Sequence, residues 1–433
     1  MAHIQPFRAL RYDPAFVSPA LAVTQPYDKI SPAMQGRYYD ASPYNLVRII
    51  LGRKEQEDSS KNNIYTRAAG YFRDWRREGI LRQDFAPSIY AYSQRFSLPG
   101  SAELQRRGFI ALGRIEDYSN RIVFRHEQTL AKPKADRLDL LRATRAHFGQ
   151  LFMLYEDSGE IATALAAHSA PDVSITDEYG VNHDLRQISD PQTIASIQNA
   201  MREKKLVIAD GHHRYETALT YRNECRAANP PSKSDAGPAE FVMMTFVDMN
   251  DRALSILPTH RIVHSLPSFS EDDFLSTARN FFNIDEVNEV LDPAAATAIL
   301  RESGRTGTTL LAVTKSRNFL LHHPDPNATA AIFTGISLRQ QSLDVMQLHK
   351  CLLEAVLNLS EESIRNQQNI SYVRDTAEAL SQVRERGANI AFLMNPCRIT
   401  QVRDIAFAGE VMPQKSTDFY PKLLSGLTIY ALD

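Results

Sequence analysis

The chain is 433 residues long, 43% hydrophobic and 23% charged, which is ordinary globular usage for two or three domains with several cores. Lys and Arg number 49 against 51 Asp and Glu. That near-cancellation, with no basic tail, argues against a protein living on bulk DNA or RNA and suits a local basic pocket for a small anion. The opening MAHIQPFRALRYDPAFV lacks the apolar stretch of a signal peptide, and no run approaches the ~18 apolar residues of a spanning helix. Cys225, Cys351 and Cys397 are too far apart for a CxxC pair or a disulfide framework. A cytoplasmic protein with no membrane and no nucleic-acid partner is the expectation.

In chain order, Pro26-Tyr27-Asp28 precedes Ser31-Pro32 as a turn with one available carboxylate. Apolar residues Tyr65, Ala69, Phe72 and Trp75 recur at helical spacing and predict a helix over 65–78, with Trp75 as a core anchor. Asp84-Phe85-Ala86-Pro87 breaks it, and an extended segment begins at Ile89. Strands are expected over 108–115 and 122–124, a helix over 138–148, and strands over 151–155, 206–209 and 241–247. The Pro/Ser-rich stretch 228–238 reads as a loop. A further unit begins near 266, with helices over 271–280 and 343–357 and strands over 309–313 and 390–394. The expected fold class is α+β, a mixed α/β chain, cut as 1–95, 96–265 and 266–433. No internal repeat and no coiled-coil heptad is visible.

The strongest local signal is Leu206-Val207-Ile208-Ala209-Asp210-Gly211-His212-His213-Arg214. A buried strand that runs through Asp-Gly into a helix presents backbone N–H groups and the helix dipole to an anion. Gly211 lets the backbone approach a ligand without a Cβ in the way, and Arg214 can grip phosphate bidentately. Asp210 could hold Mg²⁺ or cap the helix. The bland alternative is a capped helix with solvent-facing histidines.

A second cluster is Arg125-His126-Glu127, with Lys132, Lys134 and Arg137 following. Glu127 is the best general base in the chain, and the cations could neutralise phosphates; a charged loop and a solvated first helical turn are the alternative. The third is Lys415-Ser416-Thr417 with Pro421-Lys422, a proline-restrained loop rich in anion donors that read alone is simply a polar loop. His260 and Arg261 either complete a phosphate pocket or begin a strand at the surface, whereas His264 and His349 read as structural or exposed. The adjacent His212 and His213 point in different directions on a regular element, and neither HExxH nor CxxC occurs, which disfavours structural zinc. GxxxxGK[ST], GxGxxG and GxSxG are likewise missing.

Together these segments resemble a bacterial and archaeal family known only as domain of unknown function 1015. The motifs that carry the match are Pro26-Tyr27-Asp28, His126-Glu127 with Asp136-Arg137, Ala209 to Tyr215, Pro258-Thr259-His260-Arg261, and Lys415-Ser416-Thr417 with Pro421-Lys422. More distantly, the Asp-Gly-His-His-Arg turn looks like the nucleotide-phosphate motif of the ParB/sulfiredoxin superfamily, which includes a CTP-binding partition protein, an ATP-dependent sulfinic acid reductase and free-serine kinases. That resemblance implies a ParB/sulfiredoxin-like core with an additional α/β C-terminal unit. It also implies a metal on Asp210, phosphates on His212, His213 and Arg214, and Glu127 in the place of the kinases' catalytic glutamate. Sulfiredoxin carries a cysteine in its turn where this chain has His212 and His213, so sulfinic acid chemistry is disfavoured.

The expected function is a nucleotide-dependent phosphotransferase acting on a small hydroxylated, serine-like metabolite, with Mg²⁺ and ATP or ADP. Glu127, Asp210 and His213 are expected to take part in catalysis. Gly211, His212, Arg214, His126, Lys132, Lys134, Arg137, His260, Arg261, Lys415, Ser416, Thr417 and Lys422 are expected to hold the phosphorylated ligand, with all three clusters in one pocket. The alternatives are a nucleotide-binding switch without turnover, or a phosphatase or nucleotidase using the same pocket.

Overall fold

The computed structural model describes residues 2–128, 131–166, 170–229, 237–287 and 291–433, with the backbone alone for 131–133. The chain divides into two compact units. The first comprises Met1–Arg125, Leu130–Ser255 and Pro421–Asp433, and the second comprises His126–Thr129 and Ile256–Tyr420. The expected cut at 95/96 falls within or beside a paired hairpin, because Ile89–Phe96 and Leu104–Arg114 pair antiparallel from Tyr90↔Ile110 to Phe96↔Leu104.

In the first unit, nine strands among the described residues form one mixed sheet. They are β1 (Ile4–Gln5), β2 (Ile89–Phe96), β3 (Leu104–Arg114), β4 (Val123–Phe124), β5 (Leu151–Tyr155), β6 (Val173–Thr176), β7 (Asn182–Ile188), β8 (Leu206–Asp210) and β9 (Phe241–Asp248). The order is β4-β8-β5-β9-β3-β2-β7-β6, with β1 beside β3. The pairs β8–β4 and β9–β5 are parallel and the others antiparallel. Strand β5 is buried along its whole length, as its uninterrupted LFMLY predicts for a central strand.

Alternate residues of these strands share a face. Phe109, Ala111, Leu151, Met153, Leu206, Ile208, Val242 and Met244 meet Ile194 and Ile197 of helix α4 (Pro191–Met201) and Tyr215 and Ala218 of helix α5 (His212–Ala228) in one core. A second core in the same unit gathers Phe72 and Trp75 of α2 (Ile64–Arg77) with Tyr12, Leu46, Ile49, Phe148, Ile429 and Leu140 of α3 (Ala131–Thr144). Helix α2 starts on a capping box between Asn63 and Thr66, and α1 (Pro32–Ala41) on a Ser31 cap. The helix expected over 138–148 therefore begins earlier and ends at Thr144.

In the second unit, six strands among the described residues form an antiparallel sheet. These are β10 (His260–Val263), β11 (Asn283–Glu286), β12 (Thr309–Val313), β13 (Asn318–His322), β14 (Ile370–Val373) and β15 (Ile390–Met394), in the order β11-β13-β12-β15-β10-β14. Ile262, Leu311, Val313, Ala391 and Leu393 pack against Ala296, Leu300, Ala379 and Val383. The expected helix over 343–357 is a short α-turn, Asp344–Gln347, running into a π-helix, Leu348–Val356. No helix among the described residues is long and apolar enough to cross a membrane.

Candidate functional site

Strand β8 ends at Asp210, and its pairing with β5 shifts register between Ile208 and Asp210. Such irregularities re-aim a side chain and end the ladder. Gly211 follows at φ +97, a left-handed conformation, and α5 starts at His212. A Cβ on Gly211 would stand 2.8 Å from Leu151 Cδ2 and 3.1 Å from Arg214 Nε. The position thus needs glycine for both backbone conformation and space. The first turn of a helix carries N–H groups that no carbonyl of that helix accepts, and its dipole favours an anion there.

Cations surround Asp210. Lys422 Nζ donates to its Oδ2 at 2.7 Å, and Arg214 Nη2 stands 3.7 Å from Oδ1. Burial pushes the carboxyl upward, but Lys422, Arg214 and Lys29 outweigh it and hold the carboxyl far below the usual carboxylate range. Arg214 is anchored by Nη1 donating to the Gln150 carbonyl at 2.8 Å. Lys422 is delivered by a segment that the buried Arg106 and Gln94 clamp, donating to the Pro421 and Lys422 carbonyls at 2.6 and 2.8 Å. Arg137 lies over the Tyr27 ring at 4.2 Å and donates to the Ile50 carbonyl at 2.7 Å. His212 and His213 open α5, both half-buried.

Lys134 is bound elsewhere. It forms an ion pair with the buried Glu216, which Arg125 also faces at 3.7 Å. The side chain of Lys132 lies outside the described residues.

No group of three or more His, Cys, Asp and Glu among the described residues is placed to hold a metal ion. Asp210, expected as the metal ligand, is a single carboxylate with Lys422 on one oxygen and Arg214 facing the other. A magnesium ion there would have to displace Lys422 from this carboxylate, and one arriving with a nucleotide would take its other ligands from phosphate oxygens and water.

The second unit carries the other candidates. His126 is fully buried, and its Nε2 shares a 2.8 Å hydrogen bond with Thr417 Oγ1. The Lys415 N–H donates to Glu127 Oε1, and Thr417 Oγ1 donates to Oε2 at 3.4 Å. Lys415 itself sits at φ +59, exposed, while Ser416 turns inward to donate to the Pro413 carbonyl. The loop therefore offers Glu127 a backbone donor, where the sequence suggested side-chain donors to an anion.

His260 and Arg261 do begin a strand, but each is only 1% exposed. Neither is at the surface. His260 Nδ1 accepts from the Met394 N–H at 3.3 Å, which puts the ring proton on Nε2, 3.2 Å from Thr376 Oγ1. Arg261 donates to the Thr259 and Lys415 carbonyls and lies 5.3 Å from the Tyr372 ring centroid.

Burial drives the His260 pKa down to about 4 and that of His349 well below its ordinary 6.5, with Arg261 adding to both. The unfolded chain takes up these protons below about pH 6.5 while the folded rings refuse them, so stability falls as pH drops from there towards 4. For His260 alone the shift from 6.5 to about 4 corresponds to roughly 3 kcal/mol. Urea unfolding should show this loss between about pH 6.5 and 4, and His260→Gln should flatten the slope; an unchanged slope would remove His260 from the account.

Sequence reading did not single out Lys29, Gln150, Ser425 or Thr217 as site residues. Only Thr217 carried a local signal, since it lies one turn beyond Arg214 on α5, at i+3. The others reach the site through long-range pairing, such as the bridge between Thr24 and Ser425.

Solved structures similar to this chain include a conserved hypothetical protein from Pyrococcus furiosus, at 10% identity and TM-score 0.35, covering 69% of this chain and 87% of that one. A free serine kinase in complex with AMP is similar at 11% identity and TM-score 0.37, covering 71% and 89%. SbnI with a C-terminal truncation, from Staphylococcus aureus, is similar at 10% identity and TM-score 0.35, covering 74% and 87%. Among curated proteins none matches. One family model matches residues 4–346, a span holding the strand-to-helix turn, the His126-Glu127 pair and the Pro258–Arg261 segment, and by that match the chain belongs to the protein family of unknown function DUF1015.

Proposed function

We propose that the first unit binds a nucleotide by its phosphates at the start of α5, and that the protein is a cytoplasmic phosphotransferase acting on a small hydroxylated metabolite of the serine type. The observation that carries this reading is the cation set of Arg214, Lys422 and Lys29 around the single carboxylate of Asp210. Local charge there is positive in a chain whose total is nearly balanced. Phosphoryl transfer requires mainly positioning and neutralisation of charge, which such a set supplies.

Arg214 offers a planar fork for phosphate oxygens, and Lys422 a point charge that Asp210 holds in place before binding. His213, on the first turn of α5, is proposed to donate to the transferred group. Glu127 is proposed as the base that takes the acceptor's hydroxyl proton, as that oxygen bonds to phosphorus and the bridging P–O bond breaks. Its carboxylate is already oriented by the Lys415 N–H.

The test is Glu127→Gln in the full chain, with turnover measured against hydroxylated acceptors and nucleotide affinity measured separately. Turnover should fall by about 10²–10⁴-fold, with affinity within a factor of about two. Full turnover in Glu127→Gln would remove the base assignment. Tight nucleotide binding with no turnover in the unmodified chain would establish the switch instead.

A further inference from the structure

Beside Arg214, within the first unit, lies a cavity of ≈ 70 Å³. Its walls are largely apolar and include Leu140, Leu141, Phe148, Leu151 and Val242. Counted at roughly 10–15 Å³ per water, the space takes about five or six waters, which is about the bulk of one planar bicyclic base.

A polar group is built into this apolar wall. Thr217 lines the cavity, is 5% exposed, and its Oγ1 has no hydrogen-bond partner among the described residues. A buried hydroxyl without a partner costs free energy, so an occupant that bonds to it recovers that cost. Thr217 and Arg214 stand at i+3 on α5, so the cavity and the phosphate cradle share one helix face. His147, also in the lining, is kept neutral by burial, its pKa pushed down to about 4.

We infer that this cavity takes the adenine ring of an adenine nucleotide, a conclusion that rests on the phosphate reading and narrows it to one base. A flat ring fills an apolar slot that a sugar would leave with unsatisfied hydroxyls. The Thr217 hydroxyl both donates and accepts, which suits adenine's edge of one amino donor beside a ring-nitrogen acceptor. Guanine could offer the same hydroxyl its N1–H and O6, but it adds the 2-amino donor, for which a carboxylate is the natural acceptor. No acidic side chain lines the cavity.

Calorimetry on the full chain with inorganic pyrophosphate, AMP, GMP and adenosine tests this. AMP should bind at least about tenfold more tightly than GMP, and adenosine should bind weakly and compete with AMP. Thr217→Val, which keeps the shape and removes the hydroxyl, should weaken AMP about fivefold and leave pyrophosphate unchanged. Ala146→Leu, which adds bulk at a buried lining residue, should abolish the advantage of AMP over pyrophosphate. Equal AMP and GMP affinities, or AMP affinity untouched in both variants, would overturn the base assignment while pyrophosphate binding kept the phosphate reading. If pyrophosphate fails to bind, the phosphate reading falls, and adenosine alone then decides for or against the cavity.

Discussion

Replacing Arg214 by alanine is expected to weaken pyrophosphate binding by about 10–100-fold, the loss of one charge-assisted, bidentate contact worth roughly 1.5–3 kcal/mol. The side chain is 18% exposed and held by a single backbone acceptor, the Gln150 carbonyl. Its removal takes a donor from the carbonyl of Gln150, a residue 1% exposed, and one cation from Asp210, which Lys422 still pairs. Native stability without ligand should therefore fall by about 1–3 kcal/mol, and binding is read from the increment that the ligand adds. With pyrophosphate at a hundred times its dissociation constant, mass action raises native stability by about 2.7 kcal/mol. At the same concentration that increment should fall to about 0.4–1.4 kcal/mol in Arg214→Ala. Arg214→Lys should restore only part of it, because an ammonium cannot reproduce the planar fork. Undiminished binding in Arg214→Ala would place the phosphate elsewhere and with it remove the proposed site. Lys422→Met separates the two halves of the cluster: it takes away a phosphate donor and leaves Asp210 facing only Arg214 and Lys29. Binding should fall there too, and in that variant the native state should also lose stability, since a buried carboxylate has lost its direct partner.

The parts of the site that were legible in the sequence are those in which chain neighbours act together. Asp210-Gly211-His212-His213-Arg214 follows a four-residue apolar run, so strand, turn and helix start could all be read from one segment. The family was readable as well, from motifs scattered over most of the chain. What could not be read was which cations face which partners. Lys134 looked like Arg137 on paper, yet it ends on Glu216, in the second turn of α5. His260 and Arg261 looked like surface donors because polar residues usually are. Their strand is buried between β14 and β15; His260 bonds to the Met394 N–H and the Thr376 hydroxyl, and Arg261 to the Thr259 and Lys415 carbonyls, with the Arg261 Nε left without a partner among the described residues. Periodicity marks which residues lie on one face of a strand, but not whether a second layer covers that face. The π-helix at Leu348–Val356 was equally invisible, because its apolar pattern passes for an ordinary helix.

Substitutions at two glycines of β3 should differ sharply in cost, and the sheet explains why. Gly108 and Gly113 lie on the same strand, paired with Val247 and Val242 of β9. A Cβ on Gly108 would stand 2.3 Å from the Phe246 carbonyl oxygen and 2.8 Å from Val247 Cγ2. The first of these is backbone in the middle of a nine-stranded sheet, where neither strand can move without breaking its ladder on the other side. At Gly113 the clash is as short, 2.3 Å, but the partner is Met244 Sδ, the end of an unbranched side chain with three rotatable bonds. Gly108→Ala should therefore cost about 3 kcal/mol or more, at the upper end for overpacked cores, and Gly113→Ala only about 1 kcal/mol, offset in part by the entropy glycine loses on folding. Urea midpoints at constant slope would measure both. Equal losses would mean that β3 and β9 can separate locally. That in turn would loosen Met243, Met244 and Phe246, and with them the parallel pairing of β9 with β5, whose Leu151 and Phe152 sit beneath Gly211 and Arg106. A large loss at Gly108 alone would show a rigid sheet, and a rigid sheet is what a cradle built on the end of β8 requires if Arg214 and Lys422 are to be in place before the anion arrives.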